Sequence, residues 1–172
     1  MSPTEPAGIR RGIRIGIDVG SVRVGVARTD PDGLLAVPVA TLTRPAAKAA
    51  RSDLLALVDL VAEYEPLEVV VGLPIALDGT EGLAAAAVRV YAGDLLGMRR
   101  ARGVGVPVRL IDERMTTAEA TRGLQAAGRD SRSGRSVIDQ AAAVIIVQHA
   151  LDSERATGTP PGTLLDLPED PA

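Results

Sequence analysis

Residues 14–30, RIGIDVGSVRVGVARTD, alternate apolar positions with glycine or charge in two runs separated by Gly20-Ser21. A period of two marks strands with one buried face. Residues 13–19 and 22–29 therefore read as a β-hairpin, with Gly20-Ser21 as a two-residue loop. That loop pairs Val19 with Val22, Asp18 with Arg23, Ile17 with Val24 and Gly16 with Gly25. One face then carries Ile15, Ile17, Val19, Val22, Val24 and Val26. The other carries Gly16, Asp18, Arg23 and Gly25. Two readings account for that second face. A cross-strand Asp18–Arg23 ion pair, worth ~0.2–1 kcal/mol, explains the charges. A metal or phosphate site explains the glycines too, because glycine in a strand marks close approach by something else.

The rest of the chain fixes the fold class. A third strand is expected at about 34–41 and a helix at 46–65, with Leu54, Leu55, Val58 and Val61 as its apolar stripe. LEVVVGLP is a continuous apolar strand of the kind buried on both faces. An Ala-rich helix at 81–101 follows, then the strand VPVRLIDE and a short helix at 117–127. A polar loop, GRDSRSGR, leads to the helix SVIDQAAAVIIVQHALD. Three sequential strands followed by alternating helices and strands predict an α/β domain with a mixed five-stranded sheet and helices on both faces. Residues 1–12 read as a flexible tail, 13–155 as the domain, and 156–172 as a disordered, Pro-rich acidic tail. With no Phe or Trp, the core must be built from Val, Leu, Ile and Ala.

Composition narrows the function. There is no cysteine, which excludes disulfides, thiolate metal sites and cysteine nucleophiles. No apolar run approaches a membrane span and no signal peptide is visible, so a cytoplasmic protein is expected. The net charge of −3 is not the footprint of a strongly basic nucleic-acid binder, yet Lys48 is the only lysine. The positive charge is nearly all arginine, the better phosphate fork.

Two further acidic stretches join Asp18. LIDERMTT sets Asp112, Glu113 and Arg114 at the end of a buried strand, the edge where open α/β sheets bind ligands. Thr116 and Glu119 there have capping-box spacing, which explains Glu119 but neither Asp112 nor Glu113. In RSVIDQAAAVII, Ser136 and Asp139 share that spacing, so Asp139 either closes its own helix or faces the sheet with Ala143 and Ile146. Three carboxylates converging from strand and helix ends suit a divalent cation, which prefers oxygen ligands and activates water against a phosphodiester.

IGIDVGSVRVGVA, VVVGLPIALDGTEG, DERMTT and VIDQAAAVII, in this order, resemble the YqgF family, also called RuvX, whose members are known as Holliday junction resolvases and pre-16S rRNA nucleases. The resemblance spans residues 13–152. It implies an RNase H-like fold and a metal-dependent endonuclease, acting on the 5′ end of precursor 16S rRNA or, alternatively, on four-way DNA. It also implies that Asp18, Glu113 and Asp139 are the catalytic and metal-binding acids, holding Mg2+ or Mn2+. Asp112 competes with Glu113, because strand alternation puts the two on opposite faces.

Other residues carry two readings each. Arg23 and Arg114 hold phosphate or neutralise neighbouring acids. Thr116 and Thr117 contact phosphate or cap a helix. Arg129, Arg132 and Arg135 grip phosphate beside the metal site or sit in a solvated connection. Gly72 keeps a groove open or makes a tight turn. Asp78 and Glu81 have capping spacing, and the single histidine, His149, fits a packing or surface role. Without Phe or Trp, base stacking on a single strand is disfavoured, so the expected partner is structured nucleic acid gripped through phosphates. Paired cuts on a junction call for a homodimer, single cuts only for a monomer. A non-catalytic RNA-binding module of the same fold is a third reading; an actin-like ATPase, which shares the DxG hairpin, is a rival disfavoured because no second DxG-bearing strand and no P-loop pattern is found.

Overall fold

The N-terminal alternation becomes two antiparallel strands in the computed structural model, which describes residues 8–115 and 132–166: β1 (Arg14–Val19) and β2 (Arg23–Thr29). Their register differs from the expected one by two residues: Asp18 pairs with Gly25 and Val19 with Val24. Two-residue hairpin loops need positive φ, and neither Gly20 nor Ser21 has it. The turn instead spans 20–23, closed by the Gly20 N–H donating to the Arg23 carbonyl at 2.9 Å. Val22 leaves the strand and is 58% exposed. Because side chains alternate with period two, a slip of two keeps every strand residue on its expected face.

β3 (Ala36–Thr43) pairs antiparallel with β2 across a bulge at Val26/Ala27. The expected helix at 46–65 is broken by Arg51, which adopts the left-handed conformation at φ 48. A 3-10 turn (Lys48–Ala50) precedes it and α1 (Ser52–Tyr64) follows. β4 (Glu68–Leu73) pairs parallel with β1, α2 (Leu83–Ala101) crosses over, and β5 (Val108–Asp112) pairs parallel with β4. Glu113–Met115 form a 3-10 turn. The helix expected at 117–127 lies outside the described residues. α3 (Arg132–Thr157) starts four residues before the expected position and runs past its expected end.

Among the described residues the sheet has six strands, in the order β3-β2-β1-β4-β5-β6, rather than five. The extra strand, β6 (Thr163–Leu164), is too short to show periodicity and lies in the tail expected to be disordered. It pairs with β5, and the Leu165 N–H adds a bond to the Val108 carbonyl at 2.8 Å. Likewise, residues 8–12 of the expected N-terminal tail are tied down: the Gly12 N–H donates to the Pro31 carbonyl at 2.9 Å.

Helices cover both faces. On one, α1 and α2 bring Leu57, Val58, Val61, Val88 and Leu95 onto Ile15, Ile17, Val24, Val26, Val69 and Val71. On the other lies α3, with Ala143 and Val147 against Ala27, and Ile146 and Ala150 against Val70 and Ile111. Near-continuous apolar β4 is thus buried on both sides, as a central parallel strand must be. Among the described residues no helix is long and apolar enough to cross a membrane.

Candidate active site

Strand parity decides which acids meet. Ile15 and Ile17 face α1 and α2, so Asp18 faces α3. On β5, Leu110 joins the α1/α2 core and Ile111 packs with α3. Asp112 therefore points with Leu110, and Glu113, just beyond the strand, returns to the α3 face. Asp18 and Glu113 lie at the C-terminal ends of parallel strands flanking β4. Asp139 reaches the same edge from α3.

Glycines set how closely these parts approach. A Cβ on Gly25 would collide with the Asp139 carbonyl. A Cβ on Gly72 would lie 2.6 Å from both Glu113 Oε1 and Ile146 Cδ1. The bare hairpin face read as room for a ligand is thus taken by the α3 backbone. Gly72 makes room for the Glu113 side chain rather than a tight turn. Asp139 is the eighth residue of α3, well inside it, so it does not close a capping box with Ser136. The helix begins at Arg132 and has already passed its first turn.

Charge is unevenly distributed here. Burial, and then the charge of Asp139, push Asp18 up to about 6. Burial, then Asp18 and Asp112, push Glu113 up to about 7. Asp18 is therefore within electrostatic reach of acids on both sides. Asp112 behaves in the opposite way. Arg114 forks onto it, with Nη2 to Oδ2 at 2.7 Å and Nε to Oδ1 at 3.1 Å. The guanidinium holds its carboxyl below the usual range. Asp112 is thus committed to Arg114, which also reaches the Ala76 carbonyl at 3.4 Å.

Arg23 does not pair with Asp18 as the hairpin reading allowed. Its Nε donates to Asp139 Oδ2 at 2.6 Å, across 116 positions of sequence. Among the described residues, no three His, Cys, Asp or Glu side chains sit close enough to form a ready-made metal cage. Asp139 is instead engaged by Arg23. The donor set nonetheless suits a hard divalent cation. It consists of carboxylate oxygens alone, two of them on half-buried groups whose ionisation a cation would favour. Asp18 and Glu113 can supply two ligands, and Asp139 a third once Arg23 releases it.

Thr116, Thr117 and Arg129 lie outside the described residues. Arg132 opens α3 and Arg135 lies in its first turn, helix rather than loop, and their side chains are also outside the description. Asp78 accepts from both the Thr80 N–H and hydroxyl, while Glu81 pairs with Arg89 at 2.6 Å, so both are structural, though neither caps α2. His149 sits half-buried ten residues beyond Asp139, about 15 Å along the helix. One residue near the site carried no sequence signal: Arg44 donates from Nη1 to the Gly20 carbonyl at 2.8 Å.

Residues 12–153 match the family described as "RuvX: Holliday junction resolvase". The chain belongs to the RuvX family. Its curated relatives agree. It is 57% identical over 155 residues to the "Putative pre-16S rRNA nuclease" of Streptomyces coelicolor, covering 90% of this chain and 88% of that one. It is 52% identical over 158 residues to the protein of the same name from Nocardioides sp., covering 92% and 99%. Among solved structures, Thermus thermophilus RuvC in complex with a Holliday junction substrate matches with a TM-score of 0.58 at 17% identity, covering 87% of this chain and 98% of that chain. A second Thermus thermophilus RuvC structure matches at 0.52 and 15%, covering 89% and 99%. At such identities the likeness is one of fold, and that fold is RNase H-like. The mixed sheet of this RuvX family member, with helices on both faces, is the arrangement its strand order predicted.

Proposed function

We propose that this RuvX family member is a divalent-metal-dependent endonuclease, and that it trims the 5′ end of precursor 16S rRNA in the cytoplasm. The observation that carries the reading is Asp18, a half-buried carboxylate within electrostatic reach of both Glu113 and Asp139 at the ligand-binding edge of the sheet. Asp18 and Glu113 are the catalytic acids that hold Mg2+ or Mn2+, with Asp139 joining them. Bound metal supplies an activated water and stabilises the leaving oxygen. The chain's own residues do the rest. Gly72 lets Glu113 fold against α3 into the cleft. Arg114 keeps Asp112 out of the ligand set. Arg23, released from Asp139, becomes a cation available to a substrate phosphate beside the metal. Thr116, Thr117, Arg129, Arg132 and Arg135 lie along the chain between Glu113 and Asp139, where they serve as the phosphate grip. A grip of that kind reads shape more than sequence.

The experiment sets purified protein against precursor 16S rRNA and a four-way DNA junction, side by side, with Mg2+ or Mn2+ and with EDTA. We expect metal-dependent cleavage of the rRNA, abolished by EDTA and by Asp18→Asn. Preferential, paired cutting of the junction by a dimer would replace the substrate with the resolvase reading. Tight RNA binding without cleavage under any metal would leave a non-catalytic module. Robust cleavage in excess EDTA would overturn the metal mechanism.

A further inference from the structure

The loop that follows Asp18 is held from the far side of the sheet. Arg44 comes directly after β3, and its N–H donates to the Val22 carbonyl at 2.8 Å, beside the 20–23 turn. Its side chain does not reach toward α3. It runs over the opposite face, where the guanidinium stacks on Tyr91 of α2 with its carbon 4.9 Å from the ring centroid. Its Nε lies 3.8 Å from Asp53 Oδ2, at the start of α1. Asp53 is buried and accepts the Tyr91 hydroxyl at 2.9 Å. With that end fixed, Nη1 grips the Gly20 carbonyl at 2.8 Å.

Gly20 passes the constraint on. Its own N–H bonds the Arg23 carbonyl at 2.9 Å, and the Arg23 side chain holds Asp139 at 2.6 Å. A Cβ on Gly20 would sit 2.8 Å from that same carbonyl oxygen, so the turn closes tightly on itself. One guanidinium, held by α1 and α2, thereby fixes the turn that begins two residues after Asp18 and ends at Arg23. The 3.8 Å gap to Asp53 makes the pair a weak source of stability, whereas the grip on Gly20 is a short hydrogen bond to backbone.

We propose that Arg44 is a positioning residue for the metal site: anchored by Tyr91 and Asp53, it sets through Gly20 where Asp18 and the Arg23–Asp139 pair stand. The inference rests on the metal-dependent reading above. A cavity of about 350 Å3, lined by Arg44, Asp53, Tyr91 and Val90 among others, opens beside the guanidinium and gives a direct handle on it. Removing the side chain leaves space for a free guanidinium ion to take its place.

The test is Mn2+ binding by calorimetry, with steady-state kinetics alongside, on wild type, Arg44→Ala, Arg44→Lys and Asp18→Asn. Arg44→Ala should weaken Mn2+ about tenfold, the scale at which residues supporting metal ligands act. Its kcat should fall with KM unchanged, because the group removed touches no substrate. Arg44→Lys keeps the charge and one donor for the Gly20 carbonyl, and should recover part of the loss. Millimolar methylguanidinium should tighten Mn2+ binding to Arg44→Ala and do nothing for Asp18→Asn. If Arg44→Ala does not fold, Arg44→Gln takes its place with the same readings. An unchanged Mn2+ affinity, whatever the melting temperature does, overturns the proposal. So does a defect in KM alone, or a loss that neither lysine nor methylguanidinium relieves. A wild-type chain that binds no Mn2+ overturns the proposed function and this inference together, which separates the two failures.

Discussion

At the foot of α3, Glu154 meets Glu68 of β4, and both are buried, at 2% and 0% exposed. Arginines surround them. Arg10 and Arg14 reach Glu154 at 2.7 and 2.9 Å, and Arg10 and Arg109 reach Glu68, each at 2.9 Å. Burial raises Glu154, but hydrogen bonds from Arg10 and the charge of Arg14 outweigh it and hold the carboxyl below its usual range. At the head of the same helix, acids again face one another across the same interface. There Asp18 and Glu113 are pushed up, to about 6 and about 7. Among the described residues Asp18 has no ion pair, and Arg23 serves Asp139. The two ends share a helix, a sheet face and a residue chemistry, with apolar packing between them. At the foot the chain supplies its own counter-charge, and the cluster serves the fold. At the head folding leaves Asp18 and Glu113 harder to ionise than in the unfolded chain, a cost that a bound cation would relieve.

The difference between the two ends is sharpest at Asp18. Asp18→Asn should lower metal-dependent cleavage by more than about a hundredfold, beyond what removing a ligand's supporting residue does. Far-ultraviolet circular dichroism of the variant should match wild type. Residual activity within tenfold of wild type would place the chemistry elsewhere. The foot should respond in the opposite way. Glu154→Ala leaves Arg14, 0% exposed, short of a carboxylate, and should cost about 3 kcal/mol in urea unfolding while kcat of the folded fraction stays unchanged. A foot variant that loses activity without losing stability would erase the distinction.

Acidity sharpens it further. Between about pH 4 and 7 the folded Asp18 and Glu113 retain protons that the unfolded chain has released. The unfolded state then binds fewer protons, so wild type loses stability as pH rises through that window, and the loss is complete above it. Asp18→Asn removes the Asp18 share of this penalty, while burial still acts on Glu113. It should therefore stabilise the metal-free protein by ~1–2 kcal/mol at pH 8 and leave it unchanged at about pH 4. Equal effects at both pH values would mean that Asp18 ionises in the fold as it does in water. The smallest effect is expected from the arginines. Replacing Arg129, Arg132 and Arg135 together with Ala should flatten the salt dependence of nucleic-acid binding by about one unit of slope for each phosphate no longer neutralised. An unchanged slope leaves them as solvated surface.

How much of this was legible from sequence follows the range of the interactions. The face of Asp18 was legible because parity survives a register slip of two. The choice between Asp112 and Glu113 was not, since both stand at a strand end. It turns on which way β5 faces: Leu110 packs with α1 and α2 and Ile111 with α3, which sends Glu113 rather than Asp112 to the α3 side. Ser136 and Asp139 mimic a capping box, and the polar SRSG that precedes them reads as loop, yet α3 extends back to Arg132. The partners of Arg23, Arg44 and Glu154 are set by tertiary contact across tens of residues or more, where no local pattern exists. β6 is two residues long, below any period. The glycines Gly16 and Gly25 were correctly read as close approach, but the approaching group is α3 itself rather than a ligand.

A Mn2+-soaked crystal read at the manganese edge tests the central claim most directly. Density is expected at the head of α3, in contact with the Asp18 and Glu113 carboxylates, with Arg23 moved off Asp139. No manganese at Asp18, or manganese bound elsewhere with the Arg23–Asp139 pair intact, would contradict it.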